Sequence, residues 1–202
     1  MTPPKRRAER RDDLVEAARR AIIEHGSGTV RLKEVAEEAG LTSGAVLYHY
    51  PNLEELLLEA HRAGMERFYE MRFKAIEHIA DPAERLITTI RCGLPNSSSD
   101  PDVLLLCELG GSAGRNRVYG SLLTTLYDRQ VSMYQVILES GAARGVFALE
   151  SDSLTISRNL VALEDAYGYR IIARHPLIDP DKAFELILNY ASHATGCDLS
   201  TY

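Results

Sequence analysis

Thr42, Ser43, Gly44 and Ala45 stand in a row, and together they suit one kind of chemistry. Two hydroxyl donors are followed by two residues small enough for close approach to a phosphate or for apolar contact with a thymine methyl. Tyr48 and His49 follow about one helical turn later. Arg31 and Lys33 lie just upstream, and Lys5, Arg6 and Arg7 open the chain. These five cations are candidates for phosphate contacts, with an exposed, unengaged charge as the alternative for Arg31 and Lys33. Few cations fall among the small residues themselves, so affinity for a nucleic acid would come largely from the basic N-terminal arm and the helix ends.

The surrounding residues say how such a row is held. Leu32, Val35, Ala36 and Ala39 recur at i, i+3, i+4 and i+7, which predicts a short helix with one apolar face. Gly40 suits the position just past its end. Thr42 or Ser43 can cap a second helix containing Ala45, Val46 and Tyr48, and Pro51 stops it. Tyr50 is expected in the core rather than on the surface. Helix, tight turn, helix is the helix-turn-helix pattern, whose second helix enters the major groove of DNA with its N-terminal residues leading.

Over about fifty residues the chain resembles the tetracycline-repressor-like (TetR-type) transcriptional regulators. Lys33-Glu34-Val35-Ala36, Ala39-Gly40-Leu41, Ser43-Gly44, Leu47-Tyr48-His49-Tyr50 and Glu54-Glu55-Leu56-Leu57 carry the likeness. The resemblance implies that Tyr48 donates to a phosphate and that His49 lies against the backbone or a base. Arg31 stands where the family usually has a small hydroxyl residue, and Leu53 where it usually has Lys. The first departure removes a helix cap and adds a charge, and the second removes a phosphate contact. Leu163-Glu164-Asp165-Ala166 and the closing helix also resemble the betaine-regulator subgroup, which more often has Gly at the position of Ala166.

The net charge of −6 is unevenly divided: residues 1 to 11 carry +4, residues 1 to 50 carry +1, and the remainder −7. The basic footprint therefore sits on the N-terminal third. Three cysteines, Cys92, Cys107 and Cys197, have no metal-ligand spacing and are expected as reduced, packed thiols. The six histidines are scattered. Phosphate loops, nucleophile elbows and paired metal ligands are not found, so neither an enzyme nor a cofactor or metal is expected. The longest apolar run is Val103 to Cys107 and no signal peptide is read, so the expected location is the cytoplasm, away from membranes.

The rest of the chain reads as helix. The expected architecture is all-α: a three-helix DNA-binding domain over residues 1–51 and a helical ligand-binding and dimerisation domain over 52–202. The first helix is expected to start near Asp12 and Asp13, whose charges suit a helix N-terminus, and to close at Gly26. Asn52 with Glu55 should cap a long fourth helix running to Ile79. Further helices are expected at 83–93, 102–110, 117–144, 154–174 and 181–194. Leu160, Leu163, Tyr167 and Ile171 line one face of the penultimate helix, and Phe184, Ile187, Leu188 and Ala191 one face of the last. The resemblance implies that these faces meet in a homodimer, matching a palindromic double-stranded DNA operator. They could also pack within one subunit. Carboxylates set in apolar helices, Glu108, Glu164 and Asp165, either find a cation or wait for a ligand. A mostly apolar effector pocket lined by Tyr127, Gln130 and Tyr134, with Asp165 nearby and Glu108 as the polar anchor, is the expected input for a cationic or hydrogen-bonding small molecule. The competing reading is a helical interaction protein that keeps the fold without specific DNA binding.

Overall fold

A computed structural model describes residues 4–114 and 116–202, with the side chains of residues 4–7 outside that description. In chain order the helices are α1 (Pro4–His25), α2 (Leu32–Glu38), α3 (Ser43–His49), α4 (Leu53–Ile76), α5 (Pro82–Gly93), α6 (Pro101–Ala113), α7 (Arg117–Ala143), α8 (Ser153–Ile172) and α9 (Pro180–Thr195), closed by a 3-10 turn at Leu199–Thr201. No strand occurs among the described residues. The protein is all-α, with a helix-turn-helix head and a helical body.

Most helix boundaries follow from capping chemistry. Asp81, Asp152 and Asp179 each accept a hydrogen bond from the first turn of the helix they precede, and Pro82 and Pro180 occupy first-turn positions where no N–H partner is needed. Asn52 caps α4 as expected, with Glu55 N–H donating to Asn52 Oδ1 at 2.9 Å, and Glu55 answers through the side chain, Asn52 Nδ2 donating to Glu55 Oε1 at 3.1 Å. Boundaries differ at α4, which ends at Ile76, three residues short of the expected Ile79, and at α1, which starts early. The first helix begins at Pro4, eight residues before Asp12, because nothing between them interrupts a helix and Pro4 is preorganised for its first turn. Asp12 and Asp13 consequently sit exposed within α1 rather than at its start.

The chain divides into two compact units, 1–67 with 104–123, and 68–103 with 124–202. Packing thus draws a different line from the expected boundary after Pro51, since the first half of α4 is taken up with the head. Unit one is built on Leu14, Ala18 and Ile22 of α1, Val35 of α2, Val46 of α3, and Leu56 and Ala60 of α4, with Leu105 of α6 buried among them. Gly64 makes room for that leucine, because a Cβ there would stand 2.3 Å from Leu105 Cδ2. Unit two is built on Leu86 and Ile90 of α5, Ile137 and Leu138 of α7, Leu160 and Val161 of α8, and Ile187 and Ala191 of α9.

Candidate nucleic-acid interface and the buried polar clusters

Gly40 adopts φ +64°, a conformation that favours glycine, and lets the chain turn back so that Leu41 N–H donates to Ala36 O at 2.8 Å. Thr42 then caps α3, its hydroxyl accepting from Ala45 N–H at 3.2 Å. Val46 is buried on the inner side of α3, and Tyr50 just beyond its end is 1% exposed, as the sequence suggests. The outer side carries Thr42 and Gly44 exposed, Ser43 and Ala45 half-buried, and Tyr48 at 68% exposure. The expected row of hydroxyls and small residues therefore lies on the leading turn of one short helix, with Tyr48 behind it. His49 is half-buried, its ring edge-on to Tyr48 at 5.1 Å.

Arg11 braces this helix in a way the sequence reading missed. Its Nη2 donates to Glu59 Oε2 of α4 at 2.8 Å, its Nη1 reaches the His49 carbonyl at 3.4 Å, and its guanidinium lies 4.3 Å from the centre of the Tyr50 ring. One cation of the basic cluster is thus engaged in holding α1, α3 and α4 together. A second tie joins α1 to α2, where Arg20 Nε donates to Glu38 Oε2 at 2.7 Å.

Arg31 and Lys33 flank the start of α2. Arg31 is exposed, and its N–H donates to Glu34 Oε2 at 2.6 Å. That is half of a capping box, since a guanidinium has no acceptor with which to return the bond. Lys33 is exposed and pairs with Glu37 at 3.2 Å, a surface ion pair too weak to withhold it from a phosphate. Leu53, half-buried, packs onto the head core. Lys5, Arg6 and Arg7 lie outside the residues whose side chains are described.

Glu108 lies in a different unit from the other residues expected around the pocket. It belongs to unit one, whereas Tyr127, Gln130, Tyr134 and Asp165 belong to unit two. Its Oε2 accepts the Ser27 N–H at 2.8 Å, so it fastens the turn between α1 and α2. The Ser27 hydroxyl lies 3.1 Å from His61 Nε2, and the His61 ring meets Tyr119 edge-on at 5.3 Å. His61 is 1% exposed, and burial pushes its pKa down to about 4.

The carboxylate that meets Tyr134 is Glu164. In unit two Arg72 Nη2 donates to Glu164 Oε1 at 2.8 Å and to the Thr89 carbonyl at 3.0 Å, and the Tyr134 hydroxyl donates to the same Glu164 oxygen. The cluster joins α4, α5, α7 and α8. Both charged side chains are within 1% of complete burial. Burial raises the Glu164 pKa to about 7, while Arg72 and Tyr134 pull it down. Three buried atoms, Arg72 Nε and Nη1 and Glu164 Oε2, have no hydrogen-bond partner among the described residues. Gly93 makes the space, since a Cβ there would lie 1.9 Å from Glu164 Oε1. Asp165, expected as a pocket residue, is exposed on α8, yet burial of its carboxyl raises its pKa and Arg72 pulls it back down, while Gln130 is buried and Tyr127 half-buried. Arg72 was legible in principle: it falls midway between Phe68 and Ile76, four residues from each, on the buried stripe of α4.

Half of the expected dimer face is already used. Leu160, Ile171, Ile187 and Ala191 are buried in the body's own core, because α8 and α9 pack on each other. Leu163, Tyr167, Phe184 and Leu188 are only partly buried.

With the geometry in place, comparison with known proteins gives the family. Residues 14–60 match the model described as bacterial regulatory proteins, tetR family. The head is TetR-type. The transcriptional regulator BetI of Agrobacterium fabrum is 27% identical over 95 residues, covering 47% of this chain and 46% of BetI. The chain thus spans about half the length of that curated relative. Two solved structures share the fold of the whole chain. A putative transcriptional regulator from Saccharomonospora viridis in complex with choline has a TM-score of 0.86 at 24% identity, over 93% of this chain and 98% of that one. A putative TetR-family transcriptional regulator from Rhodococcus has a TM-score of 0.80 at 22% identity, over 92% and 98% respectively.

Two outcomes follow from the buried groups. Arg72→Met and Glu164→Leu, taken singly, should each cost about 3–5 kcal/mol in urea unfolding, and the double variant distinctly less than their sum. Additive costs would show that the two charges do not depend on each other. For His61, the unfolded chain takes up a proton between the ordinary value of 6.5 and about 4 that the folded chain refuses. Its contribution is complete above pH 6.5 and is lost as pH falls towards 4, by at most about 3 kcal/mol. His61→Gln should flatten the stability profile in that window, and an unchanged slope relative to the wild type would contradict the assignment.

Proposed function

We propose that the protein is a ligand-responsive, sequence-specific transcriptional regulator of the cytoplasm, acting as a homodimeric repressor released from a palindromic operator by a small molecule. The observation that carries this reading is the leading turn of α3. It presents Thr42, Ser43, Gly44 and Ala45 outward, with Tyr48 behind them, while Val46 and Tyr50 anchor the helix from within. Arg31 and Lys33, exposed at the start of α2, and the basic residues Lys5, Arg6 and Arg7 supply the phosphate contacts. Among the described residues no helix is long and apolar enough to cross a membrane. The named relatives are transcriptional regulators, and one of them holds choline.

One small-residue helix reads too few bases for a unique site, so specificity rests on two heads at a fixed spacing. The partly buried Leu163, Tyr167, Phe184 and Leu188 support a partner face on α8 and α9. For the effector, Tyr127, Gln130, Tyr134 and Asp165 remain the proposed contacts, with Glu164 replacing Glu108 as anchor. Glu164 Oε2 lacks a partner, which favours a cationic or hydrogen-bond-donating effector. A ligand that prefers the conformer with wrongly spaced heads would weaken DNA binding by the factor by which DNA weakens the ligand.

The test is a titration of the protein against DNA from upstream of its own gene at two salt concentrations. Site-selective binding should weaken with salt, with a log-log slope of roughly −0.9 for each phosphate neutralised. Absence of any complex at low salt would overturn the reading.

A further inference from the structure

Unit two carries a second candidate site on a different side of α4 and α7 from the Arg72–Glu164 cluster. Along α4 the stripe of Phe68, Arg72 and Ile76 faces inward, and Tyr69 and Phe73 occupy the adjoining face. Tyr69, Phe73, Ile76, Met133 and Val136 contribute to the walls of a groove of about 180 Å³, and Arg85 from the first turns of α5 closes it. Phe73 and Val136 are 46% and 59% exposed, a high share for apolar side chains on neighbouring helices.

Arg85 gives the groove its chemistry. Its Nε is buried and has no hydrogen-bond partner, and no carboxylate lines the groove. Arg85 as a whole is only half-buried, and a guanidinium that lines an apolar groove with no carboxylate beside it takes a ligand carboxylate by a charge-assisted bond. The Arg129 guanidinium lies 3.8 Å from the centre of the Tyr69 ring. The Tyr69 and Phe73 rings are stacked, with centroids 6.4 Å apart and planes 18° from parallel, so the wall presents aromatic surface to an occupant. A dry apolar cavity of roughly 150 Å³ accommodates one benzene ring, which sets the size. We propose that this groove binds a small aromatic monocarboxylate, its ring among Phe73, Met133 and Val136 and its carboxylate on Arg85.

Benzoate and benzamidine have nearly the same shape and opposite charge, so they test the idea directly. Binding to the full-length protein is followed by calorimetry and by NMR of the Ile76, Met133 and Ile137 methyl groups. Benzoate should bind saturably at one site per chain and shift those methyls, and benzamidine should not. Arg85→Gln should weaken benzoate binding by about tenfold or more, the loss expected for a hydrogen bond to a charged group. Val136→Trp should block it, with circular dichroism confirming that both variants are folded. Equal binding of benzamidine, no saturable benzoate binding, or undiminished affinity in Arg85→Gln would overturn the proposal. So would a change of oligomeric state in Val136→Trp, which would identify the groove as a seat for a second copy. The benzoate–benzamidine contrast is read on the wild type, so it stands even if a variant fails to fold.

Discussion

A helix of seven residues has almost no stability of its own in water, because the unfavourable nucleus is never repaid by propagation. Both helices of the head's motif, α2 and α3, are of that length. Everything the head can do therefore depends on contacts that hold α3 from outside itself. Val46 and Tyr50 are buried beneath it, and side chains of this size each stabilise by roughly 1.5–3 kcal/mol. Gly40 sets the angle of the turn, Thr42 satisfies the Ala45 N–H in the first turn, and Arg11 grips the carbonyl at the far end while pairing with Glu59. The result is a short helix whose inner side is fully committed and whose outer side is free to meet a groove.

The body relies on the opposite device. Where the head is fixed by apolar packing and caps, four helices of unit two converge on a buried ion pair. Such a pair is weak evidence for stability, since desolvation offsets most of the attraction. The cluster is also incompletely satisfied, with nitrogen and oxygen atoms left unbonded in the interior. An apolar core would tolerate none of this, and an arrangement whose polar groups still seek partners suits the ligand response proposed for this unit.

The head was almost fully legible because its determinants are local. The spacing of Leu32, Val35, Ala36 and Ala39, the glycine at 40 and the cap at 42 all act within a few residues of themselves. The helical body was legible for the same reason, through its Asp caps and its Pro and Gly stops, although the start of α1 was misplaced because Asp12 and Asp13 resemble a helix entry yet sit in a continuous run of helix formers. Long-range partners were not legible. Arg72 meets Glu164 across 92 positions and Glu108 meets Ser27 across 81. A carboxylate in an apolar helix announces that it needs a partner, but not which one. The expectation of Glu108 rather than Glu164 as the polar anchor follows from that ambiguity. The division of apolar positions on α8 and α9 between core and surface was hidden too, since periodicity gives a face and not what covers it.

The central claim is that the outer side of α3, rigidly held, is the surface that meets DNA. Backbone amide NMR of the protein titrated with an operator fragment tests it most directly. The account predicts that Thr42, Ser43, Gly44, Ala45 and Tyr48 show the largest changes, joined by Arg31 and Lys33, while Val46 stays protected from solvent exchange in free and bound forms alike. Saturable DNA binding that leaves those amides unmoved and shifts other surfaces instead would contradict it.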